Sequence, residues 1–195
     1  MSVIAQLTAD ILATPAAIVL FDTCAILDVA RAPRSQSDAA SAAMTLIALA
    51  KQTPPAIHLL AVDIVRNEWS DNIDSAEKDA ESTVATYRKV AATISSLSSQ
   101  PVPPEPPQLP TLPGTLRKLS LELLDACQVI DRDPTAMSAA LDRVVKKKRP
   151  PHKKYVKDSY ILEHCLALSS SLGGPTPECR PNSSLTHRFP SRSTR

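Results

Sequence analysis

A helix-rich α/β fold on a small parallel sheet is predicted by three features of this sequence. A short unbroken apolar run, Ile18-Val19-Leu20-Phe21, and a second buried-strand candidate, Ile57 to Val62, each end at an acid, Asp22 and Asp63. Residues at helical spacing follow each run, and strands that alternate with helices pair in parallel through crossover connections. The chain is 43% hydrophobic but only 3% aromatic, with 3 Gly and 18 Pro. Its core must therefore be built from Ala, Leu, Ile and Val, a palette that favours helices around a few buried strands.

The elements follow in order. Val3, Ile4, Leu7, Ile11 and Leu12 recur with the helical period and predict a short amphipathic helix that Pro15 ends. The run Ile18 to Phe21 is too short for a helix and reads as a strand buried on both faces. Helical spacing resumes from Thr23 to Ala30, breaks at Pro33 and Ser35, and returns through Ala50 behind a cap at Ser37 or Asp38. Pro54-Pro55 turns the chain into the second strand, Ile57 to Val62. A long helix is predicted from Ile64 to Leu97, with Glu77, Lys78, Asp79, Glu81, Arg88 and Lys89 on its wet face.

Seven prolines between Pro101 and Pro113 exclude helix and leave no strand pattern, so residues 100–113 read as an exposed, partly polyproline insertion. Helices are expected at Thr115 to Cys127 and Pro134 to Val145, then a basic loop over 146–157, then a helix from Tyr155 to Ser171. With 195 residues the chain has length for one domain of ordinary size, and we assign it to residues 1–172. From Pro175 to Arg195 the sequence holds four Pro, four Arg, one acid and neither Ile nor Val. Residues 173–195 therefore read as a disordered tail, because such a composition buries too little to order itself.

The formal net charge of +2 hides a concentration of positive charge: seven Lys and Arg lie between Lys146 and Lys157, and the remainder is net acidic. The stretch Lys146-Lys147-Lys148-Arg149-Pro150-Pro151-His152-Lys153-Lys154 suits RNA phosphates, through an attraction that salt would weaken strongly. Its bland alternative is a solvated loop. Cys24, Cys127, Cys165 and Cys179 are widely spaced with no C-x-x-C, which fits a reducing cytosol better than a zinc site or disulfide framework. Asp10 interrupts the apolar amino end and no 18-residue apolar run follows, so the expectation is a cytoplasmic protein with no membrane partner.

Three acids, Asp22, Glu68 and Asp158, fall at strand carboxyl ends or on following helices, around the crevice where parallel α/β sheets bind ligands. Carboxylates brought together repel, and the usual compensation is a divalent cation with oxygen ligands, Mg²⁺ or Mn²⁺. Such a cation activates water and steadies phosphodiester charge. Each acid also has an ordinary reading: Asp22 as a helix cap, Glu68 as a solvated helix residue, Asp158 as a partner of its helix dipole. Glu163 lies five residues beyond Asp158, about 140° around the helix, so it reads as a supporting or exposed group rather than a fellow ligand. His152 and His164 read as neutral surface or core residues, Trp69 as core, and Asp28 and Asp63 as structural.

Leu20-Phe21-Asp22-Thr23-Cys24-Ala25-Ile26-Leu27-Asp28 resembles the opening strand and helix of PIN domains. Val65-Arg66-Asn67-Glu68-Trp69 is similar to that family's second motif, and Lys157-Asp158-Ser159-Tyr160-Ile161 to its third. The resemblance spans Ile18 to about Leu172. It implies a three-layer α/β/α fold and metal-dependent ribonuclease activity, with Asp22, Glu68 and Asp158 as catalytic metal ligands and Thr23 beside them. It also implies RNA as substrate and allows a protein inhibitor of the antitoxin kind; the oligomeric state stays open. The family continues with another strand and a fourth acidic motif. Here the only acid after Glu163 is Glu178, in Pro-Thr-Pro-Glu-Cys-Arg-Pro. The expectation is thus a sheet without its last strands and a truncated or frame-altered segment from about Gly173. Two alternatives stand beside the ribonuclease: an inactive PIN-like fragment that binds RNA or protein, and a helical interaction protein whose acids are caps.

Overall fold

The computed structural model describes residues 3–98, 101, 104–146 and 156–173. Helix α1 (Val3–Ala13) precedes strand β1 (Ala17–Phe21), which passes directly into α2 (Thr23–Ala30). A single helical turn, α3 (Ala32–Ser35), and α4 (Ala39–Ala50) lead to β2 (Ile57–Val62) and the 36-residue α5 (Asp63–Ser98). Then come α6 (Leu112–Asp125), β3 (Gln128–Ile130), α7 (Pro134–Val145) and α8 (Val156–Ser171). The strands form one parallel sheet in the order β1-β2-β3, with Val19 opposite Leu59 and Val62 opposite Ile130.

Successive side chains of a strand point to opposite faces, and β2 uses both. Leu59 and Ala61 enter a core with Ile26 and Val29 of α2, Ile47 of α4, Val65, Trp69 and Ile73 of α5, and Leu123 and Leu124 of α6. Leu60 meets Leu7 and Ile11 of α1 and Leu168 of α8 on the other side. Val62 packs with Ala136 and Ala140 of α7 and Tyr160 of α8. Helices thus cover both faces of the sheet, and the α/β class follows. Among the described residues no helix is long and apolar enough to cross a membrane.

Several expectations need correction. β1 is not buried on both faces: as the sheet edge, its Ile18, Val19 and Leu20 are only partly covered. β3 lies in the segment between the helices expected at Thr115 to Cys127 and Pro134 to Val145. Three residues show no period, and only Ile130 of them is buried. Helix α6 begins at Leu112 rather than Thr115, after a 3-10 turn at Leu109–Thr111. Pro113 falls in its first turn, where a missing N–H costs nothing, so the insertion is shorter than its prolines imply. Asp38 stands at the N-cap of α4 without a side-chain capping bond. Lys147, Lys148, Arg149, His152, Lys153, Lys154, Cys179 and the tail from Gly174 lie outside the described residues.

Tyr160 and His164, one turn apart on α8, pack edge to face with ring centroids 4.5 Å apart. The Tyr160 hydroxyl accepts the Asp133 N–H at 3.2 Å, and burial is the main force raising its phenol pKa. His164 is fully buried, and among the described residues neither ring nitrogen finds a partner. Burial pushes its pKa below the ordinary 6.5, against the opposing pull of Asp133 and Asp63. The unfolded chain therefore binds more protons than the folded one below about pH 6.5, and stability drains away as pH falls from there toward the folded pKa. Melting at pH 7.5 and 5.5 should show this loss, and His164→Phe should show less of it than the parent. Equal pH dependence in the two proteins would refute the assignment.

Candidate functional site

The candidate site is assembled where β1 and β2 deliver their helices. Because the strands are parallel neighbours, with Phe21 opposite Ala61, α2 and α5 start side by side at their carboxyl ends. Buried Ile26 on α2 and Val65 and Trp69 on α5 share one core and hold the helices together. The Trp69 Nε1–H donates to Ser120 Oγ at 3.0 Å, which ties α5 to α6.

Asp22 leaves β1 in extended backbone, and its carboxylate accepts the Ala25 N–H at 2.8 Å. It therefore caps α2, the ordinary role its position suggests. Thr23, next in sequence and buried, points its hydroxyl across to α5 and donates to Glu68 Oε2 at 2.5 Å. The other Glu68 oxygen receives the ammonium of Lys157, in the first turn of α8, at 2.5 Å. Both oxygens of this carboxylate are thus engaged, one by a hydroxyl and one by a cation. That pairing, first its hydrogen bond and then its charge, raises the Lys157 pKa. Glu68 is not a freely solvated helix residue: its side chain is 19% exposed, against 54% for Lys157.

Asp158 follows Lys157 in the first turn of α8. Its charge reaches Cys24, whose thiol pKa is raised by burial first, then by Asp22, Asp28 and Asp158, with Arg31 opposing. Asp22 and Asp158 therefore act on a common neighbour although 136 residues separate them. The three acidic segments lie around one end of the sheet. Their carboxylates do not converge: among the described residues no three His, Cys, Asp or Glu side chains are grouped so as to hold a metal ion.

The remaining predicted residues are placed apart. Glu163 accepts Arg143 Nε at 2.7 Å with both side chains largely covered, which clamps α8 to α7. Lys146 pairs with Asp142 on its own helix at 2.7 Å. Asp63 faces Arg132 at 3.4 Å. A cavity of about 330 Å³, lined by Thr14, His58 and Gln128 among others, lies at the opposite end of the strands. There His58 Nε2 bonds the Thr14 carbonyl at 2.8 Å. Asp10 lines that cavity, and Asp22, Glu68 and Asp158 do not.

In chemistry, Asp22, Glu68 and Asp158 offer the oxygen donors that Mg²⁺ and Mn²⁺ prefer. Glu68 already carries a positive partner, the Lys157 ammonium, which offsets its charge. In the sequence Lys157 is one of seven clustered basic residues and opens the third-motif segment, with no role of its own. Its adjacency to Asp158 was the available signal, but the pairing depends on α8 docking beside α5. Comparison of the chain with protein-family models, curated proteins and solved structures returned no match.

Proposed function

We propose that this chain is a PIN-like, Mg²⁺- or Mn²⁺-dependent endoribonuclease domain that hydrolyses phosphodiester bonds at the carboxyl end of β1. The supporting observation is that the Asp22-Thr23, Glu68 and Lys157-Asp158 segments, distant in sequence, meet there through the Thr23–Glu68 and Lys157–Glu68 contacts. Asp22, Glu68 and Asp158 are the residues that would hold the cation, whose chemistry is to activate water and offset phosphodiester charge. Thr23 fixes the rotamer of Glu68, and the capping bond from Ala25 fixes that of Asp22. Lys146 and its basic neighbours in sequence, the latter outside the described residues, are the candidate grip on the RNA backbone. A cytoplasmic location and a protein inhibitor are part of the same proposal.

The test is cleavage of a structured RNA by the full chain in Mn²⁺. Activity should disappear with chelator and fall at least tenfold in Asp158→Asn. Cleavage indifferent to chelator would sink the metal-dependent reading. A second reading, a PIN-like protein that binds RNA or a protein partner without cutting, is favoured by the double engagement of Glu68. It also draws on residues 164–195, where Glu178 is the one acid. It expects salt-sensitive RNA binding and no cleavage in any divalent metal.

A further inference from the structure

The second half of α5 carries an exposed apolar stripe. Tyr87, Val90, Ile94 and Leu97 are 48, 52, 59 and 81% exposed, and their spacing of three, four and three residues is that of a coiled-coil seam. The same seam is covered earlier along the helix. Its preceding members Ile73, Ala76 and Ala80 are buried, and Asp79 beside them is held by Arg31 and by Arg34 of α3, which brings α3 onto this face. Past Thr83 the seam runs on with its side chains in water.

The surroundings of the stripe suit burial. On a helix that turns about 100° per residue, Arg88 and Lys89, the only charged residues from Ser82 to Leu97, lie about 140° and 120° from its middle. Thr86 and Thr93 flank it, and their hydroxyls donate to the Ser82 and Lys89 carbonyls at 2.9 Å, so a dry contact leaves neither proton unpaired. Arg88 is paired with Glu105 of the proline-rich segment at 2.6 Å, which holds that segment to α5 on the side away from the stripe.

We propose that the stripe is a homodimer contact, on which α5 of a second copy packs in antiparallel order across a two-fold axis, with Val90 of each copy opposite Ile94 of the other. A face with no charge on it or at its flanks meets itself without like-charge repulsion and offers nothing to a charged partner, which favours a second copy. Antiparallel order follows from α3, which stands on the seam's face beside Asp79: in parallel order the two copies of α3 would collide at the separation of packed helices, about 8–10 Å. Four side chains, each about half exposed or more, present about 100 Å² apiece on the scale of a Tyr. The pair thus buries about 800–1,000 Å² with its flanks, below the roughly 1,200 Å² of a stable interface. The expected dimer is therefore weak, with Kd on the order of 10–100 μM. Tyr87 lies about 28 Å along α5 from Glu68, so the contact leaves the acids open and does not depend on the metal-dependent reading.

Sedimentation velocity of the full chain from about 5 to about 500 μM, which brackets that range, should show the mean mass rising from one copy toward two. Ile94→Lys should raise Kd at least tenfold, and at low concentration its melting temperature should stay within about 2 °C of the parent's, since the substituted side chain is on the surface of the single copy. Met44→Lys, the same change at a residue of α4 that is 56% exposed, should dimerise like the parent. A parent that stays monomeric throughout overturns the proposal. So does a dimer that Ile94→Lys leaves intact, because the copies then meet through another surface. An Ile94→Lys chain that melts well below the parent at low concentration overturns it too, because the stripe is then covered by the chain's own residues.

Discussion

Asp22→Asn is expected to eliminate metal-dependent RNA cleavage while leaving the fold in place. Asn is as good an N-cap as Asp, so the bond from the Ala25 N–H, 2.8 Å in the parent, survives. The negative charge does not. A metal centre contributes several kcal/mol of charge stabilisation to phosphoryl chemistry, and each 1.4 kcal/mol is tenfold in rate, so on the proposed role of Asp22 as a ligand its loss should reduce cleavage more than about a hundredfold. The melting temperature should stay within a few degrees, because the substitution leaves packing untouched. Parallel assays of RNA cleavage and thermal melting decide between roles. Full cleavage by the variant would remove Asp22 from the chemistry and leave it as a cap; a collapsed melt would make the loss structural.

Leu60→Ala should be among the most destabilising single changes in the protein. Leu60 is completely buried at the centre of β2, between Leu7 and Ile11 on α1 and Leu168 on α8. Deleting such a side chain removes its transfer energy and leaves a cavity that strands on either side cannot collapse to fill, at a cost of about 3 kcal/mol. That is a large part of the stability of an ordinary domain. Urea denaturation should show the midpoint falling by roughly 1–2 M with little change in slope. Val129→Ala on β3, where the side chain is 46% exposed, should cost well under 1 kcal/mol and serves as the contrast. A loss below about 1 kcal/mol for Leu60→Ala would mean that α1 and α8 do not pack on the sheet as described.

The parts of the fold that were legible in the sequence are those with a long or abrupt pattern. α2 and α7 have the predicted bounds, and α1, α4, α5 and α8 begin and end within two residues of them. β2 was legible because a six-residue segment, apolar except for His58, between a proline turn and an acid allows little else. β3 was not, because pairing with β2, rather than any period of its own, makes Gln128–Ile130 a strand. The start of α6 was missed because proline counts against a helix except in its first turn, and that exception applies only once the turn is known to be there.

For the site, residue types and positions were readable, and contacts were not. That Asp22 could cap a helix follows from its place between a strand and Thr23. That Thr23 reaches Glu68 requires β1 and β2 to be parallel neighbours in a particular register, which sets α2 against α5. That Lys157 sits on Glu68 requires α8 to cross to the same end of the sheet. Likewise nothing local distinguished Glu163, which clamps Arg143, from a residue facing the acids. The amino-acid sequence alone determined where most helices and two strands would form and which residues carry charge, because periodicity and propensity act over a few neighbouring residues. The tertiary structure alone decided that Glu68 is shared between a hydroxyl and an ammonium. Such pairings join residues 45 or more positions apart and are set by how buried faces pack, for which no local pattern is a record.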